Sequence, residues 1–217
     1  MKRRIAIVML IVVAVAGYAA VSAPPGPRSI RTFNPNRLAD LEVRMWQVYY
    51  AKQNVRLFGL LVTMLREQYR YSWATAAREG FHLARAAATF GNARSNYEVV
   101  LPDLEAAYGT AREWLGAGFD PKAVAKCELA WWVQRRIPGA NSPSQVGGLM
   151  ADEYALLYEV PRESVVAAAL LRAEAGALRD SQAAQPDWER IRRLLLDSYI
   201  ALAAAVGSGP AKAGHDD

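Results

Sequence analysis

Apolar residues between positions 33 and 207 recur at spacings of three and four, the period of a helix with one buried face. Leu38, Leu41, Met45, Trp46 and Tyr49 mark a first helix from Pro35 to about Asn54. Leu57, Phe58, Leu60, Leu61, Met64 and Leu65 mark a second from about Arg56 to Tyr71. A third reads from Trp73 to Phe90, with Ser72 as its cap and Gly91 as its stop. A fourth starts near Ser95 and ends at Gly116 and Gly118, with Pro102 inside it as an expected kink. The same order then returns: Pro121 to about Ile137, a Pro138–Pro143 loop, Ser144 to Tyr158, Pro161 to about Asp180, and Pro186 to Val206. No segment carries the two-residue period of a strand, so the chain reads as all-α.

The second set of helices opens on the same words as the first. Phe33-Asn34-Pro35 leads through Leu38-Ala39 to Glu42-Val43 and Trp46. Eighty-six residues later, Phe119-Asp120-Pro121 leads through Val124-Ala125 to Glu128-Leu129 and Trp132. Asn34 and Asp120 suit the N-cap, where a side-chain oxygen accepts an orphan backbone N–H. Pro35 and Pro121 suit the first helical position, and Phe33 with Leu38, or Phe119 with Val124, has hydrophobic-staple spacing. Later parts align too: Tyr69 with Tyr158, and Tyr108 with Tyr199. The expectation is two tandem, internally duplicated four-helix units, residues 33–118 and 119–207, around a pseudo-twofold axis. Their period is far longer than that of helical solenoid repeats.

The first residues follow a different pattern. Met1-Lys2-Arg3-Arg4 precedes an uncharged apolar run from Ile5 to Val21, about 17 residues and near the lower limit for a membrane span. Residues 1–23 therefore read as a signal anchor or transmembrane helix, with a processing site before Pro24-Pro25 disfavoured. Residues 24–32 read as a short proline-rich stalk, and residues 208–217 as a disordered tail. Basic residues before the run would stay in the cytoplasm. The expected address is the cytoplasmic (inner) membrane, single-pass, with the helical domain on the extracytoplasmic, periplasmic side.

Charge removes one class of partner. The chain has a formal net charge of +5, but Lys2, Arg3, Arg4, Arg28 and Arg31 account for all of it. The exported helices are neutral and have no bulk attraction for nucleic acid. Cys127 is the only cysteine, which excludes an intramolecular disulfide; in the repeat it stands where Leu41 does, a core position.

Caps and staples do not account for Glu42 and Glu128. Both fall among apolar positions, where an unpaired charge is costly. One reading is a carboxylate pair near the pseudo-axis, backed by Trp46 and Trp132, which binds a small molecule or metal or does acid–base work. The other is structural: each glutamate bridges to an arginine from another helix, with Arg66, Arg85 and Arg172 available. Arg135 and Arg136, following Trp131-Trp132, add a candidate aromatic-and-cation surface. For a metal, Glu79 and His82 supply one Glu-x-x-His, but the second copy that a dimetal bundle requires is missing. His82 is the only histidine in the helical part, and neither a Gly-x-Ser-x-Gly nor a glycine-rich phosphate loop is present. The sequence names no cofactor and no catalytic residue. It favours a non-enzymatic, membrane-tethered module that binds a partner protein or scaffolds an envelope assembly. The alternative is a carboxylate-centred small-molecule or metal-binding protein, possibly an enzyme, using Glu42 and Glu128.

Overall fold

A computed structural model describes residues 2–207, with side chains from Met9 onward. These residues form nine α-helices, one 3-10 turn and no strand. The predicted tail and the basic residues at the extreme N-terminus fall outside the described backbone or side chains. The helices are α1 (Lys2–Val21), α2 (Pro35–Tyr50), α3 (Asn54–Tyr69), α4 (Trp73–Asn92) and α5 (Leu101–Leu115). The second set is α6 (Pro121–Gln134), α7 (Pro143–Tyr158), α8 (Arg162–Ser181) and α9 (Trp188–Gly207).

Local chemistry sets most boundaries. The Asn34 side chain accepts from the Arg37 N–H, Ser72 from Thr75, and Asp120 from Lys122. Ser142 and Gln145 cap α7 reciprocally. Arg70, Gly116 and Glu159 adopt left-handed backbone as the C-caps of α3, α5 and α7. Pro102 corrects the expectation of a kink. A 3-10 turn, Tyr97–Val100, precedes α5, and Pro102 occupies its first turn, where a missing N–H has no intrahelical role.

From α2 to α9 each helix packs on the next in sequence, and α9 returns to pack on α2. Eight helices thus close into a ring. The two predicted units are consecutive arcs of that ring, and their buried side chains form one continuous core. The α7–α8 contact is the most extensive and depends on Gly147. A Cβ there would lie 2.9 Å from Leu170 Cδ2 and 3.0 Å from its Cα. A Gly147→Ala substitution must push two helix backbones apart and is expected to cost about 1–3 kcal/mol, read from the urea unfolding midpoint; an unchanged midpoint would refute the close contact.

The N-terminal segment differs from a free stalk. Ile30 is buried in the core, Arg28 stacks 3.8 Å from the Trp114 ring centroid, and Arg70 donates to the Pro25 carbonyl at 2.6 Å. Arg31 donates to the Tyr158 carbonyl at 2.6 Å, at the α7 C-terminus where a cation is favoured. Residues 25–31 therefore strap the two arcs together rather than hold them off. Among the described residues no helix is long and apolar enough to cross a membrane. The predicted anchor extends to residues whose side chains are outside that set. The described part of α1 exposes Leu10, Val13 and Tyr18, and its neighbour in the ring is α4.

Candidate functional site

Charge buried inside the ring defines the site. Glu42 and Glu79 are 2% and 3% exposed; Glu153 is also buried, and Glu128 is half-buried. Arg172 of α8 reaches Glu42 of α2, donating to Oε1 through Nε at 3.0 Å and Nη2 at 2.7 Å. The Tyr199 hydroxyl of α9 donates to the other Glu42 oxygen at 2.7 Å. Both Glu42 oxygens are thus satisfied, by one cation and one phenol.

Glu128 occupies the matching position on α6 and meets the matching tyrosine. The Tyr108 hydroxyl of α5 donates to Glu128 Oε2 at 2.8 Å. One glutamate–tyrosine bond joins α2 to α9 and another joins α6 to α5, each linking one arc to the other. A second correspondence lies at the ends of these helices. Arg179 of α8 lies 3.1 Å from the Tyr50 ring centroid of α2, and Arg136, two residues beyond the end of α6, lies 3.7 Å from that of Phe90 on α4.

The correspondence ends at the arginine. Among the described residues no guanidinium bonds Glu128; its neighbour is Glu153 of α7, which shares Tyr108 at 3.3 Å and accepts from the Trp131 indole N–H at 2.5 Å. Burial first, then the charge of Glu153, pushes the Glu128 carboxyl up to about 8. Although Glu128 keeps some surface exposure, its carboxyl is densely surrounded by protein. Burial likewise pushes Glu153 up, opposed by Arg172 and by bonds from Trp131 and Tyr108. Glu79 of α4 extends the acidic row. Burial raises its carboxyl to about 8, against the Tyr71 hydroxyl and Arg78, which lower it. Tyr71 is near enough to act electrostatically, yet neither its hydroxyl nor Glu79 Oε2 completes a hydrogen bond of ordinary geometry. Tyr69, Tyr108, Tyr158 and Tyr199 surround these acids, and burial raises each phenol above its ordinary range.

A cavity of about 370 Å³ lies against this network, lined by Trp46, Trp131, Arg135, Val146, Met150 and Arg172 among others. The sequence of α8 creates it. Arg172, Gly176 and Asp180 fall on one strip at four-residue spacing, with Ala173 and Ala177 beside them. Small side chains there leave volume that larger ones would fill. Arg135 crosses the open strip, bonding Asp180 through Nε at 2.9 Å and Nη2 at 3.0 Å, and Nη2 is 3.5 Å from the Gly176 carbonyl. Two cavity residues also belong to the buried network: Arg172 through Glu42, and Trp131 through Glu153. No family model, no curated protein and no solved structure matches the chain. The site must be read from its own chemistry.

Of the residues singled out in the sequence, the structure brings Trp46 and Arg135 to the cavity and sets Glu42 directly behind it. Glu128 lies away from the cavity lining, next to Glu153, which bonds Trp131. Trp132 and Arg136 belong elsewhere, packing against Phe90. Glu79 and His82 separate: Glu79 faces Tyr71, whereas His82 Nδ1 lies 2.9 Å from Asp103. Arg85 also bonds Asp103, and chiefly for that reason the Asp103 carboxyl lies below its usual range. Among the described residues no three His, Cys, Asp or Glu side chains are grouped to hold a metal ion. Cys127 is half-buried rather than core, its thiol raised by burial and by Asp152 and Glu153. Sequence reasoning missed Glu153 as a site residue, although its signal was the one that exposed Glu42. Val146, Met150, Glu153, Tyr154 and Leu157 trace one helical face in which a single carboxylate interrupts the apolar positions.

Proposed function

We propose that the protein is a membrane-tethered, non-catalytic helical module that binds a small molecule in the cavity between α2, α6, α7 and α8. One observation carries this reading. The cavity is of ligand size, and its wall includes a guanidinium fixed by a buried carboxylate, so a bound molecule would meet a preorganised charge. The duplicated glutamate–tyrosine bonds support descent from a doubled four-helix unit, in which one side kept an arginine and opened a cavity. The tether rests on the basic start and on the bare apolar surface of α1, which a bilayer would cover. An extracytoplasmic address follows from that tether.

A second reading, a protein-binding module, has its own support. Trp73 and Phe81 of α4 are about half exposed, at 48% and 55%. Arg66 and Arg85 lie over their rings at 4.0 and 5.3 Å, an aromatic-and-cation surface of the type enriched at interfaces.

Native mass spectrometry of the detergent-extracted full chain tests the first reading against an Ala177→Phe variant, whose new ring would occupy the cavity. A non-lipid adduct is expected on the parent and absent from the equally stable variant. An adduct that survives Ala177→Phe, or a parent that never carries one, would overturn the assignment. The tether predicts retention in membranes after an alkaline wash.

A further inference from the structure

We infer that the cavity takes a small organic monocarboxylate with a flat apolar or aromatic body, seated between Trp46 and Trp131 with its carboxylate on Arg135. The inference rests on the ligand-binding reading and gives that site its chemistry.

The walls select the body. Trp46 and Trp131 offer indole surface, and Val146 and Met150, both buried, close the apolar side. Each indole has a guanidinium beside it: Arg135 lies 5.9 Å from the Trp46 ring centroid, and Arg172 5.5 Å from that of Trp131. A flat ring can share these faces, because stacking on an aromatic and packing against a guanidinium plane require the same shape.

The charges select the head group. Arg172 commits Nε and Nη2 to Glu42, so its charge is largely answered from within the core. Arg135 is answered from the rim, by Asp180, whose side chain is 43% exposed. Asp180 is itself shared, because Arg179 Nη1 lies 3.8 Å from Oδ1. One exposed carboxylate thus serves two guanidiniums. Arg135 bonds through Nε and Nη2, and among the described residues its Nη1 has no bond, which leaves donors for an incoming acceptor. A cationic ligand would meet Arg135 and Arg172 together. A neutral body without an acceptor would cover Arg135 and leave Nη1 unbonded, an uncompensated cost, and a neutral carbonyl would answer it more weakly than a carboxylate. The helix ends pull in opposite directions, so Arg135 Nη1 is left to set the number of carboxylates at one. The α7 N-terminus, beside Asn141 and Val146, favours an anion. The last turn of α8, at Asp180 and Ser181, opposes one. No glycine loop offers the converging N–H groups with which phosphates are usually held.

Calorimetric titration of the full chain in mild detergent, with phenylacetate, phenylacetamide and phenethylamine as probes, separates these cases. Phenylacetate is expected to bind about tenfold or more tightly than its isosteric amide, the worth of one charge-assisted hydrogen bond, and the amine to bind worst. Arg135→Gln should erase that preference while circular dichroism and melting temperature stay near those of the parent. Arg135→Lys, which keeps the charge but loses the fork, should retain part of it. If the amide or the amine binds as well as the acid, and Ala177→Phe blocks it, the carboxylate class falls and the cavity stands as a ligand site. If none of the probes binds the parent, or Ala177→Phe leaves all binding intact, both the class and the ligand-binding reading fail.

Discussion

Arg172→Met is expected to lower the unfolding free energy by about 3–5 kcal/mol, the cost of removing one partner from a buried ion pair. The reason lies in what Arg172 faces. It bonds Glu42 directly, and its charge also lowers the carboxyls of Glu128 and Glu153. Among the described residues no other guanidinium bonds any of these three acids. Methionine would fill most of the volume but leave Glu42, 2% exposed, with only the Tyr199 hydroxyl. The carboxylate would then have to take a proton or draw water into the core, and either weakens the α2–α8–α9 junction that closes the ring. Lysine should rescue poorly, because an ammonium cannot reproduce the paired Nε and Nη2 bonds to one oxygen. The double variant Arg172→Met/Glu42→Gln separates a missing charge from a missing shape. With no carboxylate left alone, it should recover most of the loss. Urea denaturation of parent, single and double variants in the same detergent gives the comparison. A single-variant loss below about 1 kcal/mol would mean that the pair behaves like a surface salt bridge, and the preorganised wall of the cavity would lose its basis.

How far the sequence foretold this site depended on how local each signal was. Helix starts were legible because a cap and the residue it bonds lie within a few positions of one another, as with Asn34 and Arg37 or Ser72 and Thr75. Pro102 was misread because proline has two opposite meanings, a break inside a helix or a comfortable first turn. The turn at residues 97–100 that decides between them left no strong pattern. Glu42 was legible as an anomaly, a charge among apolar positions, and Arg172 was one of three arginines available to answer it. Choosing among the three required the ring to close, since Arg172 and Tyr199 lie 130 and 157 residues from Glu42 in the chain. The repeat also misdirected. It paired Trp46 with Trp132, yet Trp131 is the residue at the cavity. Neighbouring helical positions diverge by about 100°, so matching positions in the two stretches need not share an environment. The proline-rich stretch before Phe33 read as a spacer from composition, while Arg28, Ile30 and Arg31, which compositional reading passes over, bind it to the body.

The protein is expected to be most stable in mildly acidic solution and to lose stability steadily from about pH 5 to pH 8. Glu79 and Glu128 have folded-state carboxyls pushed up to about 8 by burial, against an unfolded value near 4.3. Between those values the folded chain holds protons that the unfolded chain has released. Raising the pH therefore favours unfolding, by up to about 1.4 kcal/mol per pH unit for each such carboxyl. Above pH 8 both states are ionised and the loss levels off. Asp103 sets the opposite limb. Its carboxyl is held below the usual range, first by the bond from Arg85, so the stability it contributes is present above its unfolded value and disappears as acid protonates it in the fold. Denaturation curves from pH 4 to pH 9 should show the maximum, and substitution should identify its source. Glu79→Gln cannot ionise, so it should change stability little at pH 5 and raise it at pH 9 by on the order of 1.4 kcal/mol or more. Glu128→Gln should behave similarly but less strongly, since that residue keeps some exposure and forfeits acceptor capacity for the Tyr108 hydroxyl. A parent whose stability is flat from pH 5 to pH 8, or a Glu79→Gln variant that follows the parent's slope, would mean that these carboxylates remain charged in the core. In that event the acidic row beside the cavity would need a counter-cation, and Arg172, already committed to Glu42, could not supply enough charge for all four acids.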